Sequence, residues 1–277
     1  MSTRQVPLAD RTVFFDHGAQ YFTARDPRFR AQLDQWIDRG LAAPWPNAGP
    51  EAFVGTPMMC SPLAALAQAT GVTFAKRVDQ IVKTAQGWRL VGEALEAGPY
   101  DAVVIAVPAE QSAVLLDETA PDFAAIARSS PSHPCWTTMI SLSAPVEGLP
   151  PITRPSTGPL AWIANNTTKP GRAPDSAWVL QSTADWSREN IDLSPETIAE
   201  RMFAAWQEIV SVRLPAPALM RAHLWRYARS TGTGDTCLWS PQNRIGVCGD
   251  WLIGARVEAA WLSGWRLAEA IRAHGEV

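Results

Sequence analysis

The stretch from Arg244 to the C-terminus constrains the fold more than any other part of the chain. A short apolar run, Ile245 to Cys248, is broken by Gly249-Asp250, and a glycine-bearing loop follows. From Val257 apolar residues recur at helical spacing and run on to the end. Strand, glycine–acid turn, loop and helix is the order in which α/β proteins place an acid and a helix N-terminus beside a phosphorylated ligand. An aspartate at the end of a strand can accept hydrogen bonds from a sugar-like hydroxyl. The helix start at Val257, Glu258 and Ala259 offers unpaired backbone N–H groups and the positive end of the helix dipole.

Other elements are legible upstream. Val13 to Phe15 reads as a strand that ends at Asp16-His17-Gly18. Asp26 suits a helix cap and Pro27 a first turn; Phe29, Leu33, Trp36 and Ile37 keep helical spacing until Gly40. Ser61-Pro62 starts a second helix, which Gly71 closes. Strands are expected at 72–75, 80–84 and 88–91, with Gln86-Gly87 as a hairpin turn between the last two. The run Asp101 to Pro108 is continuously apolar and β-branched, which predicts a strand buried on both faces, then a helix over 110–116. Residues 121–240 are richer in Pro, Ser, Thr and Trp. They predict a mainly antiparallel sheet with strands at 137–142, 161–165, 178–183 and 222–227, and one amphipathic helix at 195–212 capped by Ser194. In the last of those strands, alternation puts His223, Trp225 and Tyr227 on one face and Leu224 and Arg226 on the other.

Composition removes several function classes. With 24 basic and 27 acidic side chains, net charge −3, no general attraction to nucleic acid or an anionic membrane is expected. The four cysteines, Cys60, Cys135, Cys237 and Cys248, form no C-x-x-C and match no zinc spacing, so no metal site is expected. No apolar run approaches the roughly 20 residues of a membrane span, and no leader pattern is visible, so the expected location is cytoplasmic. Hydrophobic residues make up 47%, enough for a substantial core. Among the 13 tryptophans, Trp162 and Trp225, with Tyr227, are candidates for an aromatic wall against a planar substrate.

Two segments carry a family resemblance. One is Asp16-His17-Gly18-Ala19-Gln20-Tyr21-Phe22-Thr23 near the start. The other is Gly249-Asp250 followed by Glu258-Ala259-Ala260-Trp261-Leu262-Ser263-Gly264. Together they resemble the flavin-containing amine oxidase superfamily, and within it the renalase-like bacterial branch. The resemblance runs in order along nearly the whole chain. It implies an α/β (α+β) two-domain fold. A Rossmann-like FAD/NAD(P)-binding domain would comprise residues 1–25, 55–120 and 240–277, and an inserted, mainly antiparallel β substrate domain residues 26–54 and 121–239. It implies an FAD-dependent oxidoreductase. The enzyme would take a hydride from a C–H adjacent to nitrogen, in a dihydronicotinamide-type or amine substrate, and pass the electrons to molecular oxygen. The FAD would be non-covalent, because no Cys or His sits in a family-like attachment motif.

The resemblance also implies roles for individual residues. Arg4 would lie near the flavin diphosphate, and Val78 would offer backbone contacts to the adenine. Gly18, Ala19, Gln20 and Tyr21 would line the ring. Gly249 and Asp250 would serve the ribityl–phosphate end, and Val257, Glu258 and Ala259 the pyrimidine edge. No catalytic residue is designated; His17 is discounted as a base, because hydride transfer from a dihydropyridine or neutral amine needs none. One family feature is missing: no Gly-x-Gly-x-x-Gly occurs, and Gly232-Thr-Gly234 precedes no helix. The family's opening unit is followed by Gly-Gly-Arg-Met-(Ser/Ala/Thr)-Thr-Arg, whose tail Met1-Ser2-Thr3-Arg4 matches. The expectation is an N-terminal truncation of roughly 30 to 50 residues, the size of a βαβ unit. Without it the pyrophosphate loses its backbone cradle, and the 103–107 strand acquires an unpaired edge. The alternative expectation is therefore a non-catalytic remnant or binding protein that no longer holds FAD.

Overall fold

The computed structural model describes residues 1–275; the last two residues, which the expected cofactor domain included, lie outside the described residues. The first 70 residues form β1 (Arg4–Pro7), β2 (Thr12–Phe15), α1 (Pro27–Asp38), β3 (Ala42–Pro44), β4 (Phe53–Gly55) and α2 (Ser61–Thr70). Next come β5 (Gln80–Thr84), β6 (Gly87–Gly92), β7 (Leu95–Tyr100), β8 (Val103–Ile105), α3 (Ala109–Leu116) and α4 (Pro121–Arg128). The middle supplies β9 (His133–Leu142), β10 (Ile152–Thr153), β11 (Leu160–Asn165), β12 (Ala177–Ser182), α5 (Ala184–Glu189), α6 (Pro195–Ile209) and β13 (Pro217–Arg229). The chain closes with β14 (Leu238–Ser240), β15 (Ile245–Val247), α7 (Asp250–Ile253) and α8 (Val257–Ala273).

Two compact units result. The first joins residues 1–70 to 133–226, the second residues 71–132 to the segment from Tyr227 onward. In the first unit a five-stranded sheet runs β10-β11-β12-β9-β13. Its β9 and β12 are buried along nearly their whole length because both faces are covered. Trp136, Ile140, Trp178 and Leu180 face α6, where they meet Ile198, Met202 and Trp206. Met139, Ala177 and Val179 face the β1–β2 hairpin through Val6, Val13 and Phe15. Antiparallel strands buried on both faces lose the usual apolar–polar alternation, which is why this sheet reads as apolar with interspersed Ser and Thr. The helices begin as their sequences dictate. Asp26 accepts from the Arg28 N–H ahead of Pro27, and Ser194 accepts from the Thr197 N–H ahead of Pro195.

In the second unit β14, β15 and β8 form a small sheet in which β15 and β8 run parallel. β5, β6 and β7 form an antiparallel meander. Val103, Ile105, Ile245, Val247, Leu116, Ala124 and Trp251 share one core.

Several expectations change. No strand forms at 72–75: Phe74 is 74% exposed and Ala75 sits at φ 56, so the run is apolar without a sheet to join. The hairpin turn is Ala85-Gln86, because Gly87 already pairs with Thr84. β8 is covered on one face only. Val104 is 47% exposed and β8 is the last strand of its sheet. Helix α4 lies in the segment expected to begin the antiparallel sheet, and α7 occupies the expected loop after Gly249. The strands β1, β3, β4, β7, β10 and β14 had no expectation at all. The compact division also differs from the expected one, since residues 1–25 and 55–70 group with 133–226. A hydrogen-bond centre at Asp16, described below, ties these segments together.

Candidate functional site

In the second unit a cavity of about 150 Å³ opens where two parallel strands end. Beyond the C-terminus of β8 lie Ala106, Val107 and Pro108; beyond that of β15 lie Gly249, Asp250 and Trp251. Ala260, in the first turn of α8, and Tyr227 to Ser230 complete most of the wall. The space outside the carboxyl ends of parallel strands, beside a helix N-terminus, is where α/β sheets take ligands. Trp251 locks the two strand exits together: its Nε1 donates to the Val107 carbonyl at 3.1 Å, and its own carbonyl accepts from Ser130 Oγ at 3.0 Å. The Gly249 N–H donates to Ser263 Oγ on α8 at 3.0 Å. Gly249 has extended backbone that any residue could adopt, but a Cβ there would lie 2.7 Å from the Trp251 ring, so glycine is required by packing. Glu110 on α3 accepts from the Ser132 N–H and hydroxyl at 2.6 and 3.1 Å, fixing Ser132 in the cavity wall.

Asp250 is the chemically distinctive group of this wall. Burial pushes its carboxyl above the ordinary carboxylate value, while backbone N–H groups of Asp250 and Trp251 partly compensate. Among the described residues no side chain pairs with it. A carboxyl half-withdrawn from water, without a side-chain cation, has capacity for a ligand hydroxyl. Glu258, in the first turn of α8, is buried and accepts from Arg256 at 3.1 Å. Val257 begins that helix and Ala259 packs fully inside.

The first unit holds a different acid. Asp16 is fully buried. Its Oδ1 accepts from Thr3 Oγ1 at 2.7 Å and the Met59 N–H at 3.1 Å. Its Oδ2 accepts from Lys169 Nζ at 3.2 Å and Arg172 Nη2 at 2.5 Å. Burial opposes ionisation, but Lys169 and Arg172 together hold the carboxyl below its ordinary value. Burial pulls Lys169 down to about 8, with Asp16 resisting and Arg172 adding to the fall. Arg172 also donates to the Gly55 carbonyl, and Lys169 lies 5.2 Å over the Trp45 ring. Gln20 is drawn into this centre. Its Nε2 donates to the carbonyls of Asp16 and Gly18 at 2.6 and 3.1 Å, and its Oε1 accepts from Lys169 at 3.2 Å. The loop from Asp16 to Tyr21 is thus clamped from within.

A model of the family described as flavin containing amine oxidoreductase matches residues 9–272. The chain belongs to that family. Solved structures share the fold. An oxidoreductase from Methanosarcina mazei superposes with a TM-score of 0.58 at 16% identity, over 79% of this chain and 55% of that one. Cyclohexylamine oxidase from Brevibacterium oxydans IH-35A gives 0.55 at 13% identity, over 81% and 55%. The chain therefore spans about half the length of these structures, and identities this low speak for the fold alone.

Within this amine oxidoreductase fold the expected site residues divide between the units. Gly249, Asp250 and Tyr227 meet in the cavity, with Val257 to Ala259 on the helix that supplies Ala260. Val78 is half-buried against the core of the same unit. In the first unit Tyr21 and Trp162 lie ring to ring at 5.7 Å, with Arg154 4.7 Å over Trp162. Gly18 gives its carbonyl to Gln20 and Gln181, and Ala19 is half-buried beside it. Arg4 and Trp225 gather around His17 and His223. The chain-spanning partners Lys169 and Arg172 were not legible in the sequence. They flank a Pro-Gly turn more than 150 positions from Asp16, and nothing local marks them. Trp251 and Ser263 were equally silent, although each directly follows or sits inside the Gly-Asp and Ser-Gly segments. Among the described residues no helix is long and apolar enough to cross a membrane.

Proposed function

We propose that the chain carries the cofactor- and substrate-binding parts of an FAD-dependent oxidoreductase of the renalase-like branch. It would act on a small molecule, taking a hydride from a C–H next to nitrogen in a dihydronicotinamide-type or amine substrate, and oxygen would take the electrons. The observation that carries this reading is the cavity beyond the parallel ends of β8 and β15, in a chain of a flavin-containing family. Its donor set suits one end of such a cofactor. Asp250 can accept from ribityl hydroxyls, and the start of α8 at Val257 to Ala259 presents backbone donors to an electron-rich edge. The fit is partial. Small-molecule sites usually need about 300–1,000 Å³, so the 150 Å³ present suits only a portion of a dinucleotide. No glycine-rich turn in these residues cradles a pyrophosphate.

A bound flavin would supply the two-electron acceptor that side chains lack. The chain's own part is to bind and orient. Trp251 and Ser263 hold the Gly249-Asp250 turn in place. The Tyr21–Trp162 pair offers an apolar wall to a planar substrate and keeps water from it. The cofactor is held without a covalent bond, the compartment is the cytoplasm, and neither nucleic acid nor membrane is a partner.

The test is the visible absorption spectrum of the purified 277-residue protein before and after FAD is added. FAD is taken to about 1 mM, so that even a millimolar site half-fills. Perturbed flavin bands, bleached without air by a dihydronicotinamide or an amine and restored by air, are expected. Bands identical to free FAD throughout would overturn the reading.

A further inference from the structure

We propose that Arg4, His17 and His223 form a site for an oxyanion, a carboxylate or a phosphate, carried by the substrate. The inference rests on the oxidoreductase reading only in calling the ligand a substrate. All three residues belong to the first compact unit.

The centre contains cationic capacity without an anion. Arg4 opens β1 opposite Phe15, and its Nη2 lies 3.4 Å from His223 Nδ1. Among the described residues no carboxylate pairs with it. Arg11, Arg28 and Arg172 of the same unit pair with Asp175, Asp26 and Asp16. His17 is 4% exposed, and its Nδ1 has no hydrogen-bond partner. Its ring centre lies 5.2 Å from that of His223 and 5.0 Å from that of Trp225. Trp225 fixes the arrangement by donating Nε1 to the His17 carbonyl at 2.9 Å.

The charged groups that bear on His17 are Arg4, His223 and Asp16; the one that bears on His223 is Arg4. Asp16 is already committed to Lys169 and Arg172. Burial, then Arg4 and His223, hold His17 down to about 4; burial and Arg4 lower His223. A buried polar nitrogen without a partner and a part-buried guanidinium without an acid are both costly. One oxyanion satisfies both. A guanidinium grips two oxygens of a carboxylate or phosphate, and each imidazole becomes a donor once protonated. An anion placed here raises both imidazole values. Binding therefore takes up protons and strengthens as pH falls toward the free-state value of His17, about 4.

Ring NMR of the four histidines tests this, with sulfate as the probe because it does not titrate in this range. Sulfate, against chloride at matched ionic strength, should raise the His17 and His223 midpoints by about one unit or more. His133 and His274, outside the site, serve as internal references. Arg4→Gln should abolish the response and, without sulfate, move both midpoints up; Arg4→Lys should keep a weaker one. Midpoints of His17 and His223 that ignore sulfate, or that move in step with His133 and His274, overturn the proposal. If Arg4→Gln fails to fold, Arg4→Lys and His223→Asn decide the matter. Acetate and inorganic phosphate then separate a carboxylate from a phosphate. With FAD present, a retained sulfate response supports a substrate anion, and a blocked one assigns the site to cofactor phosphates and overturns the substrate assignment. Should FAD not bind at all, the sulfate response still decides whether Arg4, His17 and His223 hold an oxyanion.

Discussion

Asp16 and Asp250 are both withdrawn from water, and their carboxyls are displaced in opposite directions. Asp16 sits among Thr3, Met59, Lys169 and Arg172, with both oxygens occupied. Its surroundings favour the charge, so it can do little beyond holding the loop of residues 16–21 to segments 55–59 and 166–172. Asp250 has backbone donors and no side-chain cation, and it faces a cavity. Its surroundings disfavour the charge and leave acceptor capacity unused. The difference teaches that burial alone does not mark a functional acid; incomplete satisfaction beside open space does.

The largest expected effect tests the structural half of that contrast. Asp16→Asn removes the charge that compensates two buried cations and should cost about 3–5 kcal/mol of stability. Urea unfolding measures it, and a cost below that of Asp250→Asn would break the comparison. Next in size is Gly249→Ala. Its methyl meets the Trp251 ring, and overpacking of this kind costs about 1–3 kcal/mol. The same variant should weaken FAD binding, because displacing Trp251 releases the two strand exits that it ties.

Asp250→Asn should act on the ligand rather than the fold. FAD affinity should fall about tenfold, or ~1.4 kcal/mol, with an unfolding midpoint close to that of the parent. Equal loss of stability and affinity would place Asp250 with Asp16 as a structural acid.

The smallest effect is a pH slope. The folded Asp16 carboxyl lies below its unfolded value, so its contribution is present above about pH 4 and is lost as pH falls through the folded value. Lys169 is displaced from 10.5 to about 8, so the unfolded chain binds more protons between those values and stability gains there as pH rises. Unfolding midpoints at pH 3 to 10 should show the acid limb in the parent and a shallower one in Asp16→Asn.

Legibility followed how local each determinant was. Helices α1 and α6 were readable because cap, first-turn proline and apolar spacing lie within a few residues of one another, and α2 because Ser61-Pro62 marks its start. The strand–Gly-Asp–helix order at the C-terminus was readable for the same reason, and it located half of the cavity. The 72–75 run misled because apolar β-branched residues mark a strand only if a neighbour accepts them. The two-sided burial expected for β8 misled because coverage is set by what packs on the sheet.

By itself the sequence determined the family, the alternating helix and strand pattern, and the glycine–acid turn, all written in contiguous motifs. Only the tertiary structure decided that Lys169 and Arg172 neutralise Asp16, that Trp251 requires a glycine at 249, and that Arg4 meets two uncharged histidines in place of an acid. Each of those facts joins residues far apart in the chain, or depends on where a side chain points. Desolvation and partner geometry, which set the behaviour of these charges, come into being only when the chain has folded.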